Sequence, residues 1–374
     1  MSVRTLGVEE EFMLVAPDGT PRSVAPAVLQ HAASLEPEPS PAMGVAQPPG
    51  GVLVKELKQE QIETSTHPCA DLAALTNEIR AGRARADASA RHAGAHIAAL
   101  ATTPGVITST ISRDRRSRRI NEAFGQTARE QLTCGCHVHV QVADDDEGVL
   151  VLDHLRPWTP TLLALSANSP FWQGADTGYA SFRSQVWNRW PTAGAAPPFG
   201  DATTYHRIVD ELVHSGTILD EKMIYFSARL SPSYPTVEVR VADVCLEVED
   251  AVLQAALVRG LAETAIAERG GGNWQVQPRT EQQRIAMWRA ARSGIRGDLI
   301  SPTKGGPLPA AEVVGELLAH ISDALERSGD LEWVRTQLGI VLARGTGADQ
   351  QRAWRAVGAD TGAVVRNAVE RTLA

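Results

Sequence analysis

Cysteine is scarce. Cys69, Cys134, Cys136 and Cys245 are the only four in 374 residues, too few for a disulfide framework in a chain of this size. A reducing cytoplasm is therefore the expected compartment. No run of about 18 apolar residues occurs, so no membrane span is expected. A strand pattern begins within a few residues of the N-terminus, with no basic-then-apolar signal segment before it. Walker-type lysine loops and GxGxxG are missing, and so is a G-x-S-x-G elbow. Phosphates, if bound, are then held by metal ions and arginines. Positive charge is in deficit: 36 Lys+Arg stand against 44 Asp+Glu, a net charge of −8, which argues against a general nucleic-acid binder. No internal repeat or domain boundary stands out, and 43% hydrophobic with 21% charged residues is ordinary for a globular chain.

What is present is one design used three times. Residues 5–15, TLGVEEEFMLV, read as a strand. Side chains alternate along a strand, so Val8, Glu10, Phe12 and Leu14 share one face while Glu9, Glu11 and Met13 share the other. Two carboxylates at i and i+2 lie about 7 Å apart and repel each other unless a cation sits between them. In residues 136–142, CHVHVQV, Cys136, Val138, Val140 and Val142 oppose His137, His139 and Gln141. In residues 236–241, TVEVRV, Val237, Val239 and Val241 lie behind Glu238 and Arg240. An ordinary half-exposed sheet scatters Thr, Ser, Lys and Gln over its wet face. The simplest account is one antiparallel sheet whose polar face cradles metal and substrate.

Around these strands the pattern is mostly helical. Asp18-Gly19 marks a turn, and Pro37, Pro39, Pro41, Pro48 and Pro49 with Gly50-Gly51 mark a loop. Asp71 is placed as the N-cap of a helix running to about Leu100, with Leu72, Leu75, Ile79, Ala86, Ala90 and Ile97 inward and Arg80, Arg83, Arg85 and Arg91 outward. Residues 113–119, RDRRSRR, form the one basic cluster, a solvated loop or a phosphate contact. A helix is expected from the acidic turn at 144–147 to Leu165, and residues 166–191 read as an ordered loop system. Further helices are placed at 205–214, at 249–269 and through the tail from Arg279.

Glu9, Glu11, Glu63 and Glu238 are the hard oxygen ligands that Mg²⁺ prefers. Glu10 and Glu60 read equally as surface acids. His137 and His139 suit metal or nucleotide contacts. Arg240 suits a bidentate grip on a carboxylate or phosphoryl group, or a salt bridge to its neighbours. Cys134-x-Cys136-His137-x-His139 also suggests zinc and a zinc-dependent hydrolase. Strand parity opposes it, because Cys136 faces away from both histidines.

At these residues the chain resembles the glutamate–cysteine ligase type 2 (carboxylate–amine ligase) family. The segments that carry the likeness are TLGVEEEFMLV, QIETSTHPC, CGCHVHVQV, ANSPFWQGADTGYASFRS and TVEVRVAD, with a weaker echo in MWRAARSG. The resemblance implies an α/β (α+β) fold related to the glutamine synthetase catalytic core: a curved, mainly antiparallel sheet forms a funnel, with helices outside. It implies one catalytic domain over residues 1–374, of which 310–374 are the C-terminal helical part. It implies ATP and Mg²⁺, and small-molecule substrates: L-glutamate, activated as an acyl phosphate with release of ADP, and an amine that attacks it. A specialised-metabolite ligase with another acid or amine is the variant of this reading. Glu9, Glu11, Glu63, His137 and Glu238 would bind metal, and His137, His139 and Arg240 the nucleotide phosphates. Arg240, Glu238 and Arg183 would serve the chemistry, Arg183 as a second anion contact. No sequence feature fixes an interface, so a homo-oligomer stays open. The chain departs from the family pattern at Gln141, where a glycine usually stands and whose bulk is expected to narrow the funnel. It departs again at Ala286 and Ser293 around the Trp-Arg helix.

Overall fold

In the computed structural model, residues 3–35, 49–269 and 277–374 are described. The first nine strands are β1 (Leu6–Val15), β2 (Val52–Lys55), β3 (Gln61–Ser65), β4 (His96–Ala98), β5 (Gly135–Gln141), β6 (Phe171–Trp172), β7 (Ala175–Asp176), β8 (Ala228–Leu230) and β9 (Thr236–Asp243). Seven of them build one sheet in the order β2-β3-β1-β5-β9-β8, with β4 added to the end of β1, and every pairing is antiparallel. The short β6–β7 ribbon stands apart. The expected antiparallel sheet with helices outside it is the observed architecture.

Register converts alternation into a cluster. Glu9 pairs with His137 and Glu11 with Glu63, and Glu238 lies between His139 and Arg229. Because neighbouring strands place paired residues on the same face, these groups converge on one wall. The other face carries Val8, Phe12, Leu14, Val138, Val140, Val237 and Val239, all buried. Helices α1 (Ala25–Leu35), α2 (Leu72–His92), α3 (Arg115–Phe124), α4 (Gln126–Glu130), α5 (Asp145–Leu155), α6 (Thr159–Ser166), α7 (Arg183–Trp187), α8 (Ala202–His214), α9 (Val248–Ala267), α10 (Thr280–Ser293) and α11 (Ala310–Ser328) surround the sheet. Of these, α2 and α9 pack directly behind it, α9 being buried along nearly its whole length.

The helix at Asp71 begins where expected: its carboxylate accepts the Ala74 N–H at 2.8 Å. It ends at His92, not near Leu100. Gly94 takes a positive φ of 68° and stops the helix, freeing Ile97 to pair with Leu14 in β4. Arg83, expected outward, points into the core. It is 1% exposed and grips Glu10, with Nη2–Oε1 at 2.6 Å and Nε–Oε2 at 3.0 Å. It also donates to the carbonyls of Cys245 and Leu246. Glu10 and Glu60 are therefore not surface acids: Glu60 is buried and accepts the Thr110 N–H with both oxygens at 3.0 Å. The helix expected from the 144–147 turn is broken near Pro157 by a 3₁₀ turn between α5 and α6. Helix α1 went unread in the sequence. Pro37, Pro39, Pro41 and Pro48 lie outside the described residues.

Candidate active site

Glu9, Glu11, Glu63, His137, His139, Glu238 and Arg240 line one cavity of about 420 Å³. The Glu9 carboxylate bridges both imidazoles, at 3.3 Å from His137 Nδ1 and 3.4 Å from His139 Nε2. His137 Nε2 lies 3.8 Å from Glu11, and its Nδ1 lies 3.9 Å from Glu238. Glu238 is in turn held by Arg229, with Nε–Oε2 at 2.8 Å, and by Arg240. The second oxygen of Glu11 accepts the Gly135 N–H at 2.6 Å, and His139 Nδ1 meets the Thr236 hydroxyl at 2.8 Å.

The donor set fits hard divalent cations. Two groups, Glu9/His137/Glu238 and Glu11/Glu63/His137, each bring ligand atoms within 4.8 Å of one another, with His137 in both. His137 Nε2 and His139 Nε2 are buried without a hydrogen-bond partner among the described residues, and such groups are rare unless something binds them. Electrostatics say the same. Burial together with the repulsion of Glu11 pushes Glu56 up to about 8. Burial with Glu56, Glu9 and Glu11 nearby raises Glu63 well above the usual range. Burial and then the Arg240 charge lower His137 to about 4, leaving a neutral imidazole able to ligate. Burial opposes ionisation of Glu9 too, but the His137 and His139 imidazoles against it outweigh that and hold the carboxyl low. Burial and then Arg229 lower Arg240 to about 10. Cations among these carboxylates would relieve the crowding.

Arg183 does not line this cavity. It is buried at the start of α7 and lines a neighbouring cavity of about 810 Å³, and Arg240 borders both. Gly135 explains its position, since a Cβ there would overlap the Arg183 guanidinium. Asp243 lies 3.8 Å away and is fully buried. The Asn168 N–H (2.8 Å) and the hydroxyls of Ser169 (2.7 Å) and Ser181 (2.9 Å) donate to it.

Two expectations change, for Gln141 and for the Cys/His cluster. Gln141 is exposed at the end of β5, where its amide oxygen accepts from Thr5, so it lines neither cavity and narrows nothing. Ala286 is buried behind the face that α10 turns to the larger cavity. Cys136 sits in the rear core and Cys134 is buried against the Gln61 amide. Neither belongs to a metal-capable group among the described residues, which removes the zinc arrangement. From the basic cluster, Arg116 reaches the metal-facing cavity and pairs with Asp220 at 2.8 Å. Sequence reasoning did not assign Glu56, Arg229, Trp187, Trp190 or Tyr225 to the wall. Glu56 lies in a loop and Arg229 on a three-residue strand, where alternation carries no signal.

A sheet that gathers carboxylates, imidazoles and guanidinia on one wall beside a second cavity suits the transfer of a charged group aided by cations. The chain matches the profile of glutamate–cysteine ligase family 2 over residues 5–371 and belongs to that family. It is 49% identical over 353 residues to a provisionally named glutamate–cysteine ligase 2-1 of Paenarthrobacter aurescens, covering 94% of this chain and 90% of the relative. It is 46% identical over 373 residues to a provisionally named glutamate–cysteine ligase 2 of Streptomyces coelicolor, each chain covered in full. The fold is shared with a glutamate–cysteine ligase from Francisella tularensis solved with AMP, at TM-score 0.70, 13% identity and coverage of 100% of this chain and 90% of that one. It is shared also with a bifunctional glutathione synthetase from Pasteurella multocida, at TM-score 0.69 and 15% identity. There 99% of this chain matches 52% of the other, so the chain spans about half of that protein. Among the described residues no helix is long and apolar enough to cross a membrane.

Proposed function

We propose that the protein is an ATP-dependent carboxylate–amine ligase joining the γ-carboxylate of L-glutamate to an amine. The carboxylate attacks the γ-phosphorus of ATP, ADP departs, and the amine displaces phosphate from the acyl phosphate to leave an amide. The observation that carries this reading is the convergence of four strands, β1, β3, β5 and β9, on one wall with Arg240 at its edge and a second cavity beyond.

Glu9, Glu11, Glu63, His137 and Glu238 would hold magnesium, which neutralises charge on the phosphate oxygens. His139 and His137 face the nucleotide phosphates. Arg240, fixed by Glu238, offers its guanidinium to the moving phosphoryl group, and Arg183, fixed by Asp243, holds the acid from the other side. Phosphoryl transfer asks for this kind of positioning and charge neutralisation more than for covalent help. Residues 1–374 act in this reading as a single catalytic domain with 310–374 as its helical end. The Thr372 hydroxyl near that end accepts the Ala99 N–H beside the sheet at 2.8 Å.

The test is ADP release with ATP, magnesium, glutamate and a panel of amines, with mass spectrometry of the product. A γ-glutamyl amide is expected. Hydrolysis of substrate amides without nucleotide, or no ADP formation with any acid or amine, overturns the reading.

A further inference from the structure

The larger cavity has chemistry that the phosphoryl-transfer wall does not use. At about 810 Å³ it is roughly twice the size of its neighbour, and it adds Phe226, Met287 and the α10 face to the Trp187 and Tyr225 that both cavities share, beside the charged Glu281 and Arg284. At its mouth α10 leaves Ile285 62% exposed and Trp288 50% exposed. Being three residues apart, they share a side of the helix. Single exposed apolar side chains are common, but two large ones rimming a cavity with aromatic side chains in its wall mark a binding surface. Its floor is Arg183, Arg240 and Val241, so the cavity opens on the reactive centre.

The direction of the chemistry says which substrate extends there. The phosphate that leaves the acyl carbon stays with the carboxylate and imidazole wall. The amine adds to that trigonal carbon from a face of the acyl plane, giving a tetrahedral intermediate that expels phosphate, and its substituent needs space that the phosphates and their cations do not fill. The N–C bond forms, the C–O bond to phosphate breaks, and the nitrogen gives one proton to the departing phosphate. Whatever the nitrogen carries then lies in the larger cavity.

We infer that this cavity selects a primary amine with a bulky apolar substituent, aromatic or branched, in preference to cysteine. The inference rests on the ligase reading. A thiol-bearing side chain covers little of the aromatic wall and leaves Trp288 and Ile285 in water. An aromatic substituent fills the wall and stacks edge or face against Trp and Tyr.

The experiment compares kcat/KM for 2-phenylethylamine, L-phenylalanine, L-leucine, L-cysteine and glycine with ATP, magnesium and L-glutamate. The apolar amines are expected to exceed cysteine by about tenfold or more. Trp288→Ala is expected to lower kcat/KM for 2-phenylethylamine about tenfold, more than for cysteine, and Trp288→Phe to restore most of it. Calorimetric titration of the same amines, with magnesium and a non-hydrolysable ATP analogue, reads the preference without turnover. Tighter binding or faster turnover of cysteine or glycine overturns the inference. So does selectivity untouched by Trp288→Ala, a bulky group required on the acid instead, or no heat from the aromatic amines. Absence of ADP formation with every amine sinks the ligase reading instead, while the calorimetry still decides this one.

Discussion

Glu9 and Glu10 are neighbours in sequence and belong to different problems, so replacing each by alanine gives opposite results. Glu10 is 2% exposed and two-pronged to Arg83, itself 1% exposed. Removing its carboxylate strands a guanidinium in the core, a change that costs about 3–5 kcal/mol. Arg83 keeps its carbonyl acceptors at Cys245 and Leu246, which places the cost near the lower end, about 3 kcal/mol. With an unfolding entropy of about 2.1 cal/mol/K per residue over 374 residues, Glu10→Ala lowers Tm by about 4 °C. Glu9 faces the cavity and raises the energy of the ionised Glu63 carboxylate. Losing it removes repulsion as well as two imidazole contacts, so the stability change stays within about 1 kcal/mol. ADP release, however, falls on the order of a hundredfold or more once the proposed ligand is gone. Thermal melts and ADP release at 20 °C test both variants. Equal loss of Tm in the two, or lost turnover in Glu10→Ala at unchanged Tm, refutes the assignment of faces.

Gly135→Ala drives a methyl group into the Arg183 guanidinium, with His137 Nε2 only 3.2 Å off. A stability loss of about 1–3 kcal/mol is expected together with a raised KM for the acid, and steady-state kinetics with melts measure both. Magnesium alone raises Tm by about 3 °C at a hundred times its Kd, and Glu63→Gln abolishes most of that shift in a thermal titration. His154 and His320 stack with Nε2 atoms 2.9 Å apart. Burial, then the neighbouring His320, lowers His154 from 6.5 to about 4. The unfolded chain binds a proton at 6.5 that the fold refuses until about 4. The contribution is therefore complete above 6.5 and fades as pH falls through that window. It amounts to about 2 kcal/mol less stability at pH 5 than at pH 7, which urea melts of wild type against His154→Phe isolate. An identical pH dependence in the two proteins rules it out.

The candidate wall was legible because a strand has a period of two and antiparallel pairing copies a face from one strand to the next. Parity puts Glu9 with Glu11, His137 with His139 and Glu238 with Arg240, each pair on one face of its strand, and it also puts Glu10 with Val8, Phe12 and Leu14. Only the residue type obscured that last result, since a carboxylate among apolar neighbours reads as a surface acid until its arginine is known. That partner lies 73 positions away on a helix whose Arg80 and Arg91 do face outward, while Arg85 is half-buried. Gln141 misled in the converse way: parity gave its face correctly, but the strand leaves the cavity before reaching it. Arg183 was found through the motif, while its place in a separate cavity depends on α7 and on the space at Gly135, which no local pattern encodes.

Arg240 is a party wall. Its guanidinium borders the chamber proposed to handle phosphate on one side and the larger chamber on the other, so each tenant would alter the charge its neighbour meets. Linkage makes such influence mutual: whatever factor the nucleotide applies to the affinity of the second substrate, that substrate returns to the nucleotide. Communication between the two halves of the proposed reaction therefore needs no moving domain, only the charge of Arg240 in a partition it shares with Trp187, Trp190 and Tyr225.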